Sequence, residues 1–405
     1  MARFPAYAPD FRVEIDGRPL PAALRGCVSR ISHTDGLQGA DRVEVTVANP
    51  DLRWLDHPLL RVDNPFTLSL GYAPDPLERV FTGEITGVTA TFPNGGMPTL
   101  TVVAHDFLQR LTIGTKDRGF MVNIPAIGHF PLPDALVTSL VSAENLLVPL
   151  SDPVGAALSF FTLAIAYAAS PLEAKKGVRL QQAESDFGFL SQIAKDNGWE
   201  MYIDHTLEPR GRVLRFQFLV QDYAPSAALV WGRSLTDFTP RLTTVGQVLG
   251  VAARVWLPSV KVEIVVVLSW DYDRAAFDLR IFPGLDGLES LLGAEKARKV
   301  LTLEAVGPAT MPKKLLGELL PRLNGRLTGS GSTVGNLAIK AGRVIDLGGL
   351  GEQFSGLYRV TSATHTIDGG GFRTAFEVRK EVWFGSVPTP SGVAGLARVN
   401  GQRLG

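Results

Sequence analysis

V-F-T-G-E-I-T-G-V-T-A-T-F-P-N-G-G-M-P-T-L-T-V-V-A-H-D-F, residues 80–107, has the composition of a β-hairpin. Residues 80–92 are rich in Thr, Val and Ile, which favour extended backbone. The run P-N-G-G at residues 93–96 supplies the turn residues that a tight connection needs, and the β-branched pattern resumes at Thr99. The stretch therefore predicts two antiparallel strands, around which the rest of the chain can be interpreted.

A second stretch near the other end of the chain repeats this pattern. Residues 358–378 read Y-R-V-T-S-A-T-H-T-I-D-G-G-G-F-R-T-A-F-E-V. Aligning Ile85 with Val360 also aligns the pairs Thr86 with Thr361 and Thr99 with Thr374, and it places P-N-G-G on D-G-G-G. A general likeness among Thr-rich hairpins is the alternative explanation. If the repeat is real, the chain contains one β-domain twice.

Length and composition describe an ordinary folded protein. The chain has 405 residues, of which 45% are hydrophobic and 20% charged, so two to four domains with true cores are expected. Lys plus Arg and Asp plus Glu both number 40. Because no net charge would attract a polyanion, no specific binding of nucleic acid is expected.

Two further features bear on the compartment. The single cysteine, Cys27, excludes an intrachain disulfide, and residues 1–10 have no apolar segment typical of an export signal, so we expect assembly in the cytoplasm. Residues 154–169 are strongly apolar but number only 16. A membrane-spanning helix needs about 20 apolar residues, so a buried or interface-seeking helix is predicted and no stable membrane insertion.

The pattern of strands and helices divides the chain into four parts. Short alternating segments separated by turns fill residues 1–112 and predict a small barrel or sandwich. Residues 113–230 form an α+β middle domain, with helices predicted after Pro133 and between the N-cap Ser185 and Gly198. Residues 231–385 combine strands with helical segments at 289–303 and 312–327, and residues 386–405 have the composition of a flexible tail. The prediction is a mainly β protein with an α+β middle region.

No catalytic, cofactor-binding or metal-binding residue can be identified from the sequence. The six histidines are far apart in sequence and lack zinc-protease spacing: His33, His57, His105, His129, His205 and His365. The carboxylate pairs Asp271 with Asp273 and Asp204 with Glu208 are typical of a protein surface. The glycine-rich run at residues 329–335 lacks the phosphate-loop spacing and predicts a turn. No converging titratable cluster is expected.

Three segments together resemble a known family. Residues 329–367, residues 180–198 with L-Q-Q-A-E-S-D-F, and residues 80–111 ending in A-H-D-F-L-Q-R-L are similar to the phage late control protein D family. That family supplies the tail hub, or baseplate hub, of contractile phages. Its relatives are the hub parts of type VI secretion spike proteins and of extracellular contractile injection systems. The resemblance spans most of the chain in the right order.

The resemblance implies a function without chemistry. It implies a structural virion or particle protein, not an enzyme, with two tube-like β-barrel domains at residues 1–112 and 231–385. Three chains would form a homotrimer whose six similar domains join a sixfold inner tube protein to a threefold spike protein, in contact with other baseplate components. Two departures are that residues 148–177 are longer and more apolar than expected, and that no spike-like segment follows Gly385.

Two other classes of function remain open at this stage. Tail hubs are sometimes associated with lysozyme-like domains, so a cell-envelope-degrading enzyme is one alternative. A carbohydrate-binding β-protein is the other, although its expected aromatic rows are absent, since the six Trp are scattered through the sequence. A peptidoglycan turbidity assay and the native oligomer mass would separate these alternatives from a hub.

Overall fold

The protein is known here as a computed structural model that describes residues 8–124, 128–169, 178–218, 222–243, 250–257, 261–271, 276–282, 284, 300–303 and 311–382. Its first part is almost entirely β, as predicted. The elements are β1 (Ala8–Ile15), β2 (Arg18–Pro19), α1 (Ala22–Arg25), β3 (Val28–Gly36), β4 (Arg42–Ala48), β5 (Pro65–Ala73), β6 (Glu78–Thr91) and β7 (Thr99–His105). Two 3-10 helices occupy Pro58–Leu60 and Phe107–Thr112.

The middle part is α+β. Its elements are β8 (Lys116–Ile124), β9 (Gly128–Pro131), α2 (Asp134–Glu144), β10 (Val148–Ser151), α3 (Pro153–Ala169), β11 (Arg179–Glu184), α4 (Asp186–Asn197), β12 (Glu200–Ile203) and β13 (Val213–Gln217). Both ends of α4 were predicted and are confirmed. The Ser185 hydroxyl accepts a hydrogen bond from the Gly188 N–H, and Gly198 ends the helix at φ +67°.

The last part adds a separate small sheet and the second hairpin. Its elements are β14 (Ala227–Val230), β15 (Asp237–Leu242), β16 (Gly250–Leu257), β17 (Val262–Asp271), β18 (Ala276–Phe282), β19 (Val300–Leu303), α5 (Met311–Asn324), β20 (Leu327–Val334), β21 (Val344–Gly348), α6 (Gly351–Phe354), β22 (Gly356–Asp368) and β23 (Gly371–Arg379). The helix predicted for 312–327 is confirmed in substance by α5. The helix predicted for 289–303 is wrong at Val300–Leu303, the part that the structure describes, because these residues form β19 and pair in parallel with β16.

One large sheet contains strands from both ends of the chain. Its order is β15-β20-β23-β22-β3-β4-β7-β6-β5-β1-β2, with β21 also paired to β22 and β14 paired to β21. The two ends meet where β3 pairs antiparallel with β22, from Gly36 opposite Ser362 to Ile31 opposite Ile367. The first and last parts of the sequence are therefore joined by backbone hydrogen bonds. The predicted domain limits themselves stay a prediction.

Both predicted hairpins form, and each contains a β-bulge at the same aligned position. In the first hairpin the register shifts between Ile85 and Gly87, which leaves Thr86 as the extra residue of a β-bulge. In the second it shifts between Val360 and Ser362, which leaves Thr361 as the extra residue. The sequence repeat aligns the same two threonines, Thr86 and Thr361.

The backbone beside each bulge also makes the same hydrogen bonds. The Ile85 N–H donates to the Asn64 carbonyl, and the Ile85 carbonyl accepts from the Asp63 N–H. The Val360 N–H donates to the Arg343 carbonyl, and the Val360 carbonyl accepts from the Gly342 N–H. Asp63 and Gly342 both have positive φ, at 70° and 80°. Each bulge is thus fixed by the same two-residue turn.

The second strands of the two hairpins, β7 and β23, correspond with a shift of one residue from the alignment predicted from the sequence. Ala90 pairs with Leu100, whereas His365, the residue aligned with Ala90, pairs with Thr374. Thr374 therefore corresponds to Leu100 and not to Thr99. The reason is the turn, because seven residues, 92–98, connect β6 to β7, whereas only Gly369 and Gly370 connect β22 to β23.

The glycine-rich run at residues 329–335 is mainly strand β20, so the predicted turn is wrong. Its glycines lie against aromatic rings: a Cβ at Gly329 would come within 2.5 Å of the Phe238 ring, and one at Gly335 within 2.1 Å of the Phe372 ring. The glycines are required by tertiary packing, which the local sequence does not reveal.

A buried ion-pair network ties the middle part to the last part. Arg359 on β22 is 1% exposed and lies 2.5 Å from a carboxylate oxygen of Glu200 on β12. Its guanidinium also lies 3.5 Å from Glu381 and donates to the Gln217 side-chain oxygen at 3.1 Å. Arg379 completes the network by contacting both Glu200 and Glu381. Each buried charge therefore has an opposite partner.

Residues 154–169, predicted to be a buried or interface-seeking helix, lie within α3. Among the helices that the structure describes, none is both long and apolar enough to cross a membrane. The predicted tail at 386–405 lies outside the described residues.

Candidate functional site

Three polar side chains meet at the junction of the first and middle parts. The register of β4 and β7 pairs Arg42 with His105, which places the residues just beyond them, Asp41 and Asp106, side by side. His205 follows β12 and reaches the same point. One carboxylate oxygen of each aspartate and one ring nitrogen of His205 all lie within 4.8 Å of one another.

The geometry of this cluster is set largely by backbone groups. His205 Nε2 lies 3.2 Å from Asp41 Oδ2 and 3.9 Å from Asp106 Oδ2. Asp41 Oδ1 accepts from the Gly36 N–H at 3.0 Å, and Asp106 Oδ1 accepts from the Leu108 N–H at 2.9 Å as the N-cap of a 3-10 helix. Both carboxylates are therefore held in one orientation.

A second polar cluster, formed by His33, Asp35 and His365, lies beside the first. A cavity of about 740 Å³ is lined by residues of both clusters. The His33 and His365 rings stack at 5.9 Å across the junction of β3 and β22, and the Phe81 ring lies 5.7 Å from His33 and 5.4 Å from His205. Asp35 Oδ2 accepts from the Ala341 N–H at 3.1 Å. Titratable groups from three parts of the chain therefore converge here.

Burial strongly shifts the pKa values of these groups. Burial raises the pKa of Asp41 to about 8, and burial together with the Asp41 charge raises that of Asp106 to about 8. The same two causes raise the pKa of Asp35 to about 7. Burial lowers the pKa of His205 and His33, and it lowers that of His365 to about 4. The site disfavours charge of either sign.

The expectation that no titratable groups converge is thus wrong. Residues 41, 106 and 205 follow no local spacing, and only the fold brings them together. The sole sequence signal was Asp106 within A-H-D-F-L-Q-R-L, where an aspartate precedes a helical turn. Among the other histidines, His105 shares a hydrogen bond with the Thr86 hydroxyl at 2.6 Å, and His57 Nδ1 accepts from the Leu59 N–H.

The carboxylate pairs noted in the sequence do not form a site in the described residues. Asp204 accepts from the Thr206 N–H and lies 2.9 Å from Arg215, which fixes the turn that carries His205. Glu208 is exposed and pairs with Arg210. Asp273 lies outside the described residues.

His33 gives a pH-dependent prediction. Both of its ring nitrogens are buried without a hydrogen-bond partner, so His33→Phe should change stability little at neutral pH. Because the folded-state pKa of His33 lies below the unfolded value of about 6.5, the wild type loses stability as the pH falls through that value. Relative to the wild type, the free energy of unfolding of the variant should therefore rise by up to about 1.4 kcal/mol for each pH unit below about 6.5. Denaturant unfolding from neutral pH to about pH 5 measures the difference.

Ile31→Val is the matched control, because Ile31 is buried on the same strand β3 and carries no titratable group. Its difference from the wild type should not vary with pH. The raised pKa values of Asp35, Asp41 and Asp106 act in the opposite sense, but both proteins share these groups and their effects cancel to first order. A pH-independent difference for His33→Phe would contradict the prediction.

The chain is similar to known proteins in its fold. No protein-family model and no curated protein matches the sequence. Among solved structures, the 43 kDa tail protein of prophage MuSo2 from Shewanella oneidensis has a TM-score of 0.61 at 10% identity, covering 93% of this chain and 99% of that one. A tail protein from Neisseria meningitidis has a TM-score of 0.57 at 12% identity, covering 94% of this chain and 100% of that one. The chain has the fold of a phage tail protein.

A third structure connects this tail-protein fold to secretion. The E. coli c3393 protein is described as a component of the type VI secretion system with structural similarity to bacteriophage T4 tail proteins. It has a TM-score of 0.53 at 12% identity, covering 93% of this chain and 79% of that one. A mainly β fold of the tail-protein type, as the sequence resemblance implied, is therefore confirmed. Two of these neighbours are thus described as tail proteins, and the third as a secretion-system component.

Proposed function

We propose that this protein is the structural hub of a phage tail or contractile injection particle, a homotrimer that joins a sixfold inner tube to a threefold spike. The observation that carries the proposal is the tail-protein fold, which extends over more than nine-tenths of the chain in each of three comparisons. Function then depends on contact surfaces rather than on catalysis.

The repeated hairpin supports the symmetry that such an adapter needs. Each copy has a bulge at an aligned threonine and a positive-φ turn bonded to the residue before it. We infer that the first and last parts of the chain are duplicated tube-like β-barrel domains. Three chains would then present six similar units to a sixfold tube and three chains to a threefold spike.

Two surfaces suit contacts between copies. Strand β15 pairs only with β20 among the described strands, and its Pro240 is typical of an edge. Helices α2 and α3 pack together and expose large apolar side chains, including Leu140 at 48%, Phe160 at 47% and Phe161 at 63%. Exposed apolar surface of this kind commonly marks a protein interface.

The native mass tests the oligomer. Light scattering should give three times the 43.6 kDa of one chain, with the spike protein co-expressed if assembly requires it. A peptidoglycan turbidity assay on the same sample should show no clearing, which separates a hub from a lysozyme-like enzyme. A monomer that persists with the spike present would contradict the proposal.

A charge on α3 should weaken the trimer. Phe161→Asp would place a carboxylate in the apolar interface, where desolvation costs several kcal/mol, and should shift the mass toward monomer. Val62→Asp is the matched control, because Val62 is 49% exposed in the first part of the chain, and it should remain trimeric. Equal masses for the two variants would show that α3 is not the interface.

A further inference from the structure

In the part of the chain that the structure describes, the cluster of Asp41, Asp106 and His205 lacks the Lys or Arg partners that two buried carboxylates ordinarily have within ion-pair distance. Their side chains are 4%, 0% and 10% exposed. Among the described residues, His205 is the only basic side chain within ion-pair distance of either carboxylate. Neither ring nitrogen of His205 makes a hydrogen bond. A buried polar group without partners is costly, so the arrangement calls for a ligand or a shared proton.

The donor atoms are arranged to hold a metal ion. The backbone N–H groups of Gly36 and Leu108 bind the far oxygen of each carboxylate, and Asp41 Oδ2 and Asp106 Oδ2 face His205 Nε2. Asp106 Oδ2 also accepts from the Asp41 N–H at 3.1 Å, which leaves it a second lone pair for an ion. Such outer contacts orient ligands in metal sites. Four ligands at about 2.1 Å from a tetrahedral ion lie about 3.4 Å apart, close to the 3.2 Å and 3.9 Å found here.

The donor set also indicates which ion would bind. One imidazole nitrogen and two carboxylate oxygens suit Zn²⁺ or a similar transition metal, whereas Ca²⁺ and Mg²⁺ prefer oxygen ligands throughout. The adjoining cavity leaves room for water as a fourth ligand. A divalent cation would also neutralise two carboxylates that otherwise repel each other.

We propose that Asp41, Asp106 and His205 form a structural binding site for a divalent transition metal of the Zn²⁺ type. The ion fastens the turn after β12 to the ends of β4 and β7, and so clamps the middle part of the chain to the first part. This inference is independent of the proposed function, since it concerns one folded chain.

The test begins with the full-length protein. After purification and removal of metal by a chelator, titration calorimetry should show one Zn²⁺ per chain, and Co²⁺ should give the visible absorption of a tetrahedral site. Zn²⁺ should raise the thermal midpoint by about 3–8 °C when well above its dissociation constant, because it binds only the folded state. Mg²⁺ should neither bind at one ion per chain nor raise the thermal midpoint.

Isosteric variants locate the site. Asp41→Asn keeps an oxygen for the Gly36 N–H and should weaken Zn²⁺ binding at least tenfold, as should His205→Gln. Asp106→Asn should weaken binding as much, and it should also lower the stability, because one amide oxygen cannot accept from both the Leu108 and the Asp41 N–H groups. Asp35→Asn is the control, because Asp35 lines the same cavity but is not a ligand, and it should bind normally. If an aspartate variant fails to fold, His205→Gln at the turn serves alone.

Two results would overturn the proposal. One is that the folded wild type binds no stoichiometric Zn²⁺ and no Co²⁺, in which case His205 and an aspartate share a proton instead. The other is that binding occurs but is unaffected by Asp106→Asn and His205→Gln, which would place the ion elsewhere.

Discussion

Proline at Val360 or at Ile85 is expected to prevent the chain from folding. Both side chains are fully buried, and both N–H groups donate hydrogen bonds to the neighbouring turn, to Arg343 and Asn64 respectively. Proline removes the N–H donor, and its ring is incompatible with the strand pairing, at a cost of about 3 kcal/mol or more. The carbonyl of Arg343 or Asn64, left without its hydrogen bond, adds about 1–3 kcal/mol. Either cost is a large part of the stability of an ordinary domain. Soluble yield and denaturant unfolding measure the effect, and particle assembly should be lost with it.

The conservative changes Ile85→Val and Val360→Ile are the controls. Each retains the N–H donor and the apolar contact, and each should cost only about 1 kcal/mol. If the Val360→Pro protein were soluble and assembled normally, the second hairpin would not hold the fold together as described. Similar losses at the two sites would be expected if the bulges are equivalent.

Arg359→Leu is expected to destabilise the protein by about 3–5 kcal/mol. Its guanidinium contacts Glu200, Glu381 and Gln217 from a position that is 1% exposed. Removing it leaves the fully buried Glu381 dependent on Arg379 alone. Denaturant unfolding at neutral pH should show the loss as a lower transition midpoint.

Arg373→Leu is the matched control within the same hairpin. Arg373 is 65% exposed and lies 3.4 Å from Asp368, so its loss should cost at most about 1 kcal/mol. Adding Glu381→Leu to Arg359→Leu should recover part of the stability, because the buried carboxylate disappears with its partner. Equal effects of Arg359→Leu and Arg373→Leu would contradict the role given to the buried network.

The sequence was sufficient wherever local chemistry decides the structure. The strands of both hairpins follow from β-branched runs and turn glycines, and α4 follows from Ser185 as N-cap and Gly198 as the left-handed residue that ends it. Even the matching bulges lie at the threonines that the alignment paired, Thr86 and Thr361.

It was insufficient wherever distant residues decide. Gly329 in β20 makes room for Phe238, and Gly335 just after the strand makes room for Phe372, so a run that resembles a turn is mainly strand. Val300–Leu303 becomes a strand because β16 offers it a partner. The candidate metal site joins residues 41, 106 and 205, and no pattern of spacing could show that β4, β7 and the turn after β12 meet.

The pairing of β3 with β22 also determines the order of events during synthesis. Thr34 and Thr364, whose hydroxyls meet at 3.0 Å across this pair, are 330 residues apart in the chain. At about 5–20 residues per second, a ribosome needs roughly 15–65 s to supply the second strand after the first has emerged. Throughout that interval the β3 edge is unpaired and can join a strand of another nascent chain. Slow translation therefore favours misassembly of this protein, and fast completion or a bound chaperone protects it.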